Sequence, residues 1–525
     1  MMKSSVGQIK SGLLGLAVLF SASSCSLLGI GKKDNVSATT GAEYATQKSL
    51  LGYRPYDDQE LPSPPGMVFI QGGRTILGSF EQDLYGSRDN IERTVTVNSF
   101  FMDETEVTNS NWKEYVFFQY NPQKLPVPKS TTVIDPDDPD NQNLSTPPAQ
   151  WIPDYTGPTH SKSNPQNYED IIPDDNVWAS DFSFNDVYAE NYYSNPGFNK
   201  YPVVGVSWRQ VADFCKWRTD FVNLSLIFDM DYEDLPEQFV EEFIVEDQTS
   251  GEYQLAIGGQ PIGDVSSGTG QNIEIADFDE FQQEVVEYIN VPENRRRFIE
   301  RGIYLPDFRL PNEAEWEYAA KATVGTVYLD ENEEYGRIYP WDGRGVRNPY
   351  GKKRGELLAN FKRGRGDYAG IAGNINNDAS VIPEPVGNRE PNDFNLFNMA
   401  GNVSEWVFDT YRPLSFGDFD DLNPVRKDGT NDSEKDYGWE TLDTKDSIAA
   451  NQSLEYRSLV NDRARVYKGG SWKDVAYWMA PGTRRYLDLD RATNTIGFRC
   501  AMISIGTQQL DQSNGLIGKV FGGRE

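Results

Sequence analysis

The chain has 525 residues, enough for one large domain with insertions or for two to four ordinary domains. Its formal net charge of -31, from 80 acidic and 49 basic residues, opposes binding to nucleic acid or to anionic lipid headgroups. Aromatic residues make up 13% of the chain, more than a disordered acidic chain carries, so a packed core is expected.

The N-terminal residues 1–24 are predicted to be a targeting signal rather than part of the fold. Their apolar run, 13–20, is too short to span a bilayer permanently. Small residues then lead to Cys25, a pattern that resembles a bacterial lipoprotein signal in which this cysteine becomes the acylated first residue. The following Ser26 favours the outer membrane. An ordinary secretory signal, with Cys25 as a bystander, is the alternative.

The chain contains three cysteines, and their number limits how they can pair. If a lipid takes Cys25, then Cys215 and Cys500 remain in an oxidising compartment, where a disulfide is the default expectation. Two separate buried thiols are the alternative.

Residues 25–65 are polar and rich in turn formers, which predicts a flexible tether. Ordered structure is predicted to begin with a strand at 67–70, and a second β-like stretch follows around 95–101. A helix is expected after Thr108, which can cap its first turn, because apolar residues from Trp112 onward recur at helical spacing.

Capping patterns predict two further helices. Ser207 and Gln210, three positions apart, form a capping box, and Asn312 and Glu315 repeat the pattern later in the chain. A helix-like segment also covers 278–289.

Long insertions separate these elements in a predicted domain that covers 66–503. Residues 121–200 show no lasting hydrophobic period and are interpreted as a surface excursion. Residues 224–302 are acidic, and 414–462 form a third insertion; none of the three indicates a separate domain. Residues 504–525 are expected to be a flexible tail.

Two segments near the C-terminus carry the clearest family pattern. Residues 398–406 run Asn-Met-Ala-Gly-Asn-Val-Ser-Glu-Trp, and residues 468–472 run Lys-Gly-Gly-Ser-Trp before Gly-Phe-Arg-Cys-Ala at 497–501. Further blocks in the expected order lie at 67–78, 103–109, 202–217 and 309–320. Together they resemble the formylglycine-generating-enzyme (sulfatase-modifying factor) family. The resemblance implies an irregular α+β fold, C-type-lectin-like, with little regular secondary structure and long loop insertions.

A narrower resemblance rests on the lipoprotein signal, the acidic insertions and the segment 465–478. These features are similar to the gliding-motility lipoproteins of Bacteroidota, and to the J-type members more than to the K-type. The resemblance implies partners among the other envelope proteins of the gliding and type IX secretion machinery. It also implies a periplasm-facing position on the outer membrane.

The family resemblance implies where the reactive cysteines of active relatives would lie, two and seven residues after Trp472. Those positions are Asp474 and Met479, although Ser471 is retained. A carboxylate and a thioether cannot supply the paired thiolates that bind copper and pass electrons to oxygen. The one histidine, His160, excludes a multi-histidine iron site by count. We therefore expect a pseudoenzyme that uses neither copper nor iron.

The resemblance also implies structural calcium, which prefers the hard oxygen ligands of a curved loop. One site is expected at Asn398, Gly401, Val403 and Glu405. Another is expected at Asn360, Phe361, Asp378 and Ser380. A purely structural turn is the alternative for the first. The family pattern supports the Cys215–Cys500 disulfide as well.

Arg484, Arg485 and Arg499 match basic positions that lie near the substrate groove or brace the core in the family. We interpret them as charge-paired structural arginines. The acidic runs at 135–140 and 229–242 are interpreted as solvated faces, with docking to a basic partner as the alternative.

Together, these expectations predict that the protein is a non-catalytic, lipid-anchored scaffold of the gliding motility and type IX secretion machinery. Two alternatives remain. One is an envelope lipoprotein that binds carbohydrate or peptide, and the other is an enzyme that modifies secreted proteins by altered chemistry.

Overall fold

The computed structural model describes residues 63–78, 89–120, 131–134, 171–179, 183–229, 235–246, 253–258, 260–262, 264–266, 270–323, 338–349, 351–372, 380–412, 420–426 and 463–505. All of them belong to the unit Glu60–Glu525. Several predicted features lie outside these residues: the signal, Cys25, most of the tether, His160, Asp378, most of 414–462, and the tail beyond 505. No helix in the described part of the chain is long and apolar enough to cross a membrane.

The described strands and helices alternate irregularly along the chain, which confirms the mixed helix and strand content of an α+β fold. The strands are β1 (Met67–Ile70), β2 (Gly73–Leu77), β3 (Arg93–Val97), β4 (Phe100–Asp103), β5 (Thr131–Ile134), β6 (Ile244–Glu246), β7 (Tyr253–Ile257), β8 (Gln260–Pro261), β9 (Asp264–Ser266), β10 (Gly270–Glu274), β11 (Ser404–Thr410), β12 (Ala464–Lys468), β13 (Arg485–Asp488), β14 (Ile496–Gly497) and β15 (Ala501–Ile503). The helices are α1 (Asn109–Tyr120), α2 (Asp186–Asn191), α3 (Trp208–Asp229), α4 (Glu237–Phe243), α5 (Ile275–Asn290), α6 (Pro292–Glu300) and α7 (Glu313–Lys321).

The two C-terminal signature segments meet in one four-stranded sheet of order β13-β12-β11-β14. Strand β12 pairs antiparallel with β11 and β13, and β14 pairs parallel with β11. The register places Glu405 opposite Lys468. The two signature segments therefore lie side by side at these residues, although more than sixty positions separate Glu405 from Lys468 in the chain.

A second sheet joins the beginning of the domain to its end. Its central strand β4 pairs antiparallel with β1 on one side and with β15 on the other. Every residue of β4 is buried. The backbone of Cys500, just before β15, is held there because its N–H donates to Asp103 Oδ2 at 2.8 Å.

The predicted helix starts are confirmed. Helix α3 follows Ser207, whose N–H donates to Gln210 Oε1 at 2.8 Å. Helix α7 follows Asn312, whose Oδ1 accepts from the N–H of Glu315 at 2.7 Å. Both pairs satisfy amide groups that the first helical turn leaves without an acceptor. The first helix likewise begins directly after Thr108.

Buried tryptophans organise the main core between α1, α3 and β11. The indole N–H of Trp208 donates to Val407 O at 2.8 Å, and that of Trp406 donates to Val206 O at 3.1 Å. The ring of Trp112 stacks on Phe214 with centroids 5.4 Å apart. Each indole buries a large apolar surface and donates to a backbone carbonyl as well, which suits a domain with few long strands.

Two predicted insertions contribute to packing. The second contains its own apolar core, formed by Leu224, Ile227, Leu235, Phe239, Phe243, Ile244, Leu255, Phe281, Val285, Ile289, Phe298, Ile303 and Tyr304. In the first, Trp178 is buried and stacks on Trp472 of the signature segment, with centroids 5.9 Å apart. The first is thus not a surface excursion throughout, since its last part packs against the domain.

Candidate functional site

Asp474, at one of the two positions expected to be catalytic in active relatives, is held in a bidentate ion pair. Arg485 Nη1 and Nη2 donate to its two carboxylate oxygens, each at 2.7 Å. The Ser471 hydroxyl donates to Asp474 Oδ2 at 2.6 Å, and the Ser471 amide donates at 2.9 Å. The carboxylate therefore anchors the loop after β12 to β13, and the retained serine hydroxyl is engaged in that anchor.

The guanidinium of Arg485 is fixed from several directions. It lies over the ring of Tyr467 at 4.9 Å and over that of Trp478 at 4.7 Å. It also donates to Ser404 Oγ at 3.0 Å. Stacking and bidentate pairing together give arginine a single orientation. The region around Asp474 is thus a preformed ionic contact without a free nucleophile among these side chains.

Met479, at the other of these positions, is fully buried at 0% exposure. It belongs to an apolar cluster with Leu357, Ala359, Phe361 and Ala400. The structure turns Met479 into the core, where a thioether serves as a space-filling group.

Glu405, the one carboxylate predicted among the first calcium ligands, has both oxygens occupied. Arg499 Nη2 donates to Oε1 at 2.7 Å, and Arg499 Nε donates to Oε2 at 2.8 Å. The indole N–H of Trp316 donates to Oε2 at 2.7 Å. Arg499 is 0% exposed and also donates to the carbonyl of Phe397 at 2.8 Å. A guanidinium thus supplies the positive charge at this carboxylate.

The rest of that loop surrounds a buried acid that the sequence pattern did not single out. The side-chain amides of Asn398 and Asn402 donate to Glu106 Oε2 and Oε1, each at 2.9 Å. Burial raises the pKa of Glu106 to about 7. Gly401 has a φ of +77°, and a Cβ there would lie 2.5 Å from the carbonyl oxygen of Asn360. Glycine is therefore required for this close approach.

The second predicted calcium loop is partly described. Asn360 Oδ1 accepts from the N–H of Ser380 at 3.2 Å, and Asn360 Nδ2 donates to Ile382 O at 2.9 Å. These residues are therefore brought together as predicted. The side chain of Phe361 is buried in the same apolar cluster as Met479.

The described atoms at both loops do not fit a calcium ion as they stand. Both oxygens of Glu405 and the side-chain oxygen of Asn360 already accept hydrogen bonds. Across the described ranges, no group of three or more His, Cys, Asp or Glu side chains could hold a metal. Calcium at these residues stays a prediction that requires some of these bonds to be displaced.

A buried network of charges lies between α7, β12 and the segment before β13. Glu313 is in salt-bridge contact with Arg484 at 2.6 Å, with Arg426 at 3.0 Å and with Lys468 at 3.1 Å. Lys468 also pairs with Glu317 at 3.0 Å. Burial alone would raise the pKa of Glu313, but the three cations hold it well below its usual range. Sequence analysis missed this network, although two acids four positions apart on one helix were a signal for it.

The predicted charge pairing of the three singled-out arginines is confirmed, because each forms a salt bridge. The pairs are Arg484–Glu313, Arg485–Asp474 and Arg499–Glu405.

Cys215 on α3 and Cys500 are both buried at 0% exposure. Their sulfur atoms are 3.6 Å apart, in contact as thiols but not bonded. Burial raises the pKa of the Cys500 thiol. The sequence pattern thus brought the correct pair together, and the disulfide itself stays a prediction.

The matches to known proteins agree with this arrangement of blocks. Residues 54–503 match the family described as the Sulfatase-modifying factor enzyme 1-like domain (FGE-sulfatase). The chain belongs to this family.

The chain matches both a relative named as a formylglycine-generating enzyme and one named as inactive. It is 33% identical over 116 residues to the formylglycine-generating enzyme of Streptomyces coelicolor, covering 22% of this chain and 31% of that protein. It is 28% identical over 194 residues to the inactive C-alpha-formylglycine-generating enzyme 2 of Mus musculus, covering 37% and 42%. The chain thus spans less than half the length of either. The solved Treponema denticola variable protein 1 aligns with 85% of this chain and 99% of its own, at 16% identity and a TM-score of 0.35.

The charge network makes a testable prediction for Glu313→Gln. Removing the shared carboxylate leaves Lys468, Arg484 and Arg426 buried without a common counter-charge, so we expect a loss of about 3–5 kcal/mol in the free energy of unfolding. Chemical denaturation measures it. The control is Glu300→Gln, which removes an exposed pair with Arg296 and should cost less than about 1 kcal/mol. Equal losses in the two variants would contradict a structural role for the network.

The cysteine pair makes a second prediction. Titration of the denatured, unreduced protein with a thiol reagent should detect neither Cys215 nor Cys500 if the oxidised pair forms in the envelope. The same titration after reduction should detect both. Two free thiols before reduction would show that the contact at 3.6 Å is between buried thiols only.

Proposed function

We propose that the protein is a non-catalytic, lipid-anchored scaffold of the cell envelope, acting in the gliding motility and type IX secretion machinery. In this proposal the ancestral catalytic positions have become parts of the framework. Cys25 carries the lipid and tethers the domain to the outer membrane, on the periplasmic side. The described domain then presents its insertions to other envelope proteins of the machinery.

The observation that carries the non-catalytic part is the bidentate Asp474–Arg485 ion pair. Its N–O distance of 2.7 Å at both oxygens leaves the carboxylate engaged. The full burial of Met479 removes the other position from contact with a substrate. Family membership together with a relative named as inactive supports the same proposal.

The lipid anchor and the machinery are supported by the sequence patterns alone. The signal-like segment 1–24 before Cys25 supports the anchor, and the segment 465–478 supports the narrower assignment. The net charge of -31 disfavours nucleic acid as a partner.

A ligand-binding lipoprotein is the second candidate, but the described residues of the signature segments offer no exposed aromatic ring for a carbohydrate. Carbohydrate binding would use exposed aromatic rings. Phe184 is 84% exposed, but it stands apart from the signature segments in the chain. Trp472, in the signature itself, is 6% exposed and packs against other rings.

The non-catalytic proposal predicts no aldehyde on a cysteine-containing peptide incubated with the protein, copper(I), a reductant and oxygen. Mass spectrometry of the peptide measures the product. The matched variants are Asp474→Asn, which removes one charge from the ion pair, and Met479→Leu, which preserves core volume. Aldehyde formation that Asp474→Asn abolishes at unchanged protein level would overturn the proposal.

The scaffold proposal predicts that tagged protein, crosslinked and gently solubilised, copurifies with gliding or secretion subunits in fixed stoichiometry. Cys25→Ala should move the protein from the membrane to the soluble fraction and reduce that recovery. Recovery of the protein alone, or with glycans only, would favour the ligand-binding candidate instead.

A further inference from the structure

A cavity of about 680 Å³ opens between α1, α3 and the loop that follows β4. It is separate from the Ser471–Met479 segment, since none of those residues lines it. Its lining includes the acids Glu104, Glu106 and Glu114. It also includes one face of α3, with Phe214, Trp217, Phe221, Val222 and Leu226.

The negative charge in this cavity is not balanced by its own lining. Arg218 is the one cation among the described lining residues, and Asp103 already binds it at 2.9 Å. The remaining three carboxylates form no salt bridge within the described part of the chain. Glu106 accepts hydrogen bonds from two neutral side-chain amides, and Glu104 accepts one from Asn395 at 3.0 Å.

This contrasts with three buried glutamates elsewhere in the domain. Glu313, Glu317 and Glu405 each contact at least one lysine or arginine within 3.2 Å. A buried carboxylate without a cation in contact is costly. The described lining of the cavity carries four carboxylates and one arginine, and Arg499 and Arg218 act on Glu106 and Glu114 only from beyond salt-bridge distance.

The aromatic wall adds a second and independent feature. The centroids of Phe214 and Trp217 are 5.5 Å apart, and those of Trp217 and Phe221 are 5.4 Å apart, so the rings form a continuous surface. The indole N–H of Trp217 is buried and has no acceptor among the described residues. Aromatic faces attract cations, and an unpaired indole donor favours a ligand that also carries an acceptor.

We propose that this cavity binds an organic cation with an apolar stem, an ammonium or guanidinium group of the kind carried by lysine and arginine. The charged head lies near Glu104 and Glu114, and the stem lies along Phe214, Trp217 and Phe221. The source is either a basic side chain of another polypeptide or a free amine. This inference uses no residue of the ancestral catalytic segment, so it stands or falls separately from the non-catalytic scaffold.

The test is calorimetric titration of the purified full-length protein with acetyl-arginine methylamide. The matched control ligand is acetyl-citrulline methylamide, which has nearly the same shape and no charge. We expect saturable binding of the arginine compound, and binding of the citrulline compound at least about tenfold weaker. Equal affinity for the two, or no binding of either, would overturn the proposal.

Two substitutions in the cavity and one control outside it test whether the ligand binds there. Glu114→Gln, at the exposed rim, and Glu104→Gln, which is half-buried, should each weaken binding about fivefold or more without unfolding the domain. Glu237→Gln removes an exposed acid on α4 that does not line the cavity and should leave affinity unchanged. If Glu237→Gln weakens binding as much as the cavity variants do, the attraction comes from the net charge of the whole protein and the proposal fails.

Two further ligands identify the source of the cation. Agmatine represents a free amine, and a blocked Gly-Arg-Gly peptide represents a side chain within a polypeptide. Tighter binding of the peptide assigns the cavity to a basic segment of a partner protein. Tighter binding of agmatine assigns it to a small molecule.

Discussion

Buried ion pairs hold the signature segments of this domain together. Glu313 on α7 gathers three cations, and one of them, Lys468, lies on the strand beside Glu405. Glu405 in turn binds Arg499, from the end of the chain. Buried charges are tolerated only when each has an oppositely charged partner. Removing one partner leaves the other charge buried and unpaired, at the full cost of its desolvation. The family motifs are thus parts of one electrostatic unit.

A loop-rich domain needs such directional contacts because its sheets are small. The four-stranded sheet has a central strand of seven residues, and the sheet around β4 has strands of three and four residues. Hydrogen bonds from Trp208 and Trp406 to backbone carbonyls link segments that a longer strand pairing would otherwise hold together. Left-handed backbone at Gly401 lets one loop approach another closely enough to exchange hydrogen bonds.

The segment Ser471–Met479 is also held by a completed ion pair. Asp474 is paired with Arg485, as Glu405 is paired with Arg499. The acidic cavity on α3 differs, since three of its carboxylates form no salt bridge with a described residue. In this domain, completed ion pairs accompany structural roles, whereas incomplete charge balance coincides with an open cavity and an aromatic wall. The Asp474–Arg485 region and the acidic cavity thus differ in how completely their charges are paired.

Local features could be predicted from the sequence because short-range contacts decide them. The caps at Ser207 and Asn312 link residues three positions apart, and the apolar stripe of α3 follows from helical spacing alone. The α+β class and the contact between Cys215 and Cys500 followed from the order of the family blocks. The separate core of the second insertion did not, because its helices and strands lack a recurring motif.

The sequence by itself thus determined the helix starts, the strand at Met67–Ile70 and the family. Only the tertiary structure decided which charges neutralise each other. Glu313 meets Arg426, 113 positions away, and Glu405 meets Arg499, 94 positions away. Nothing in the local pattern favours one arginine over another as the partner of a given acid. The choice depends on which loops approach once the cores have packed, and the unbalanced cavity is visible only after those pairs have formed.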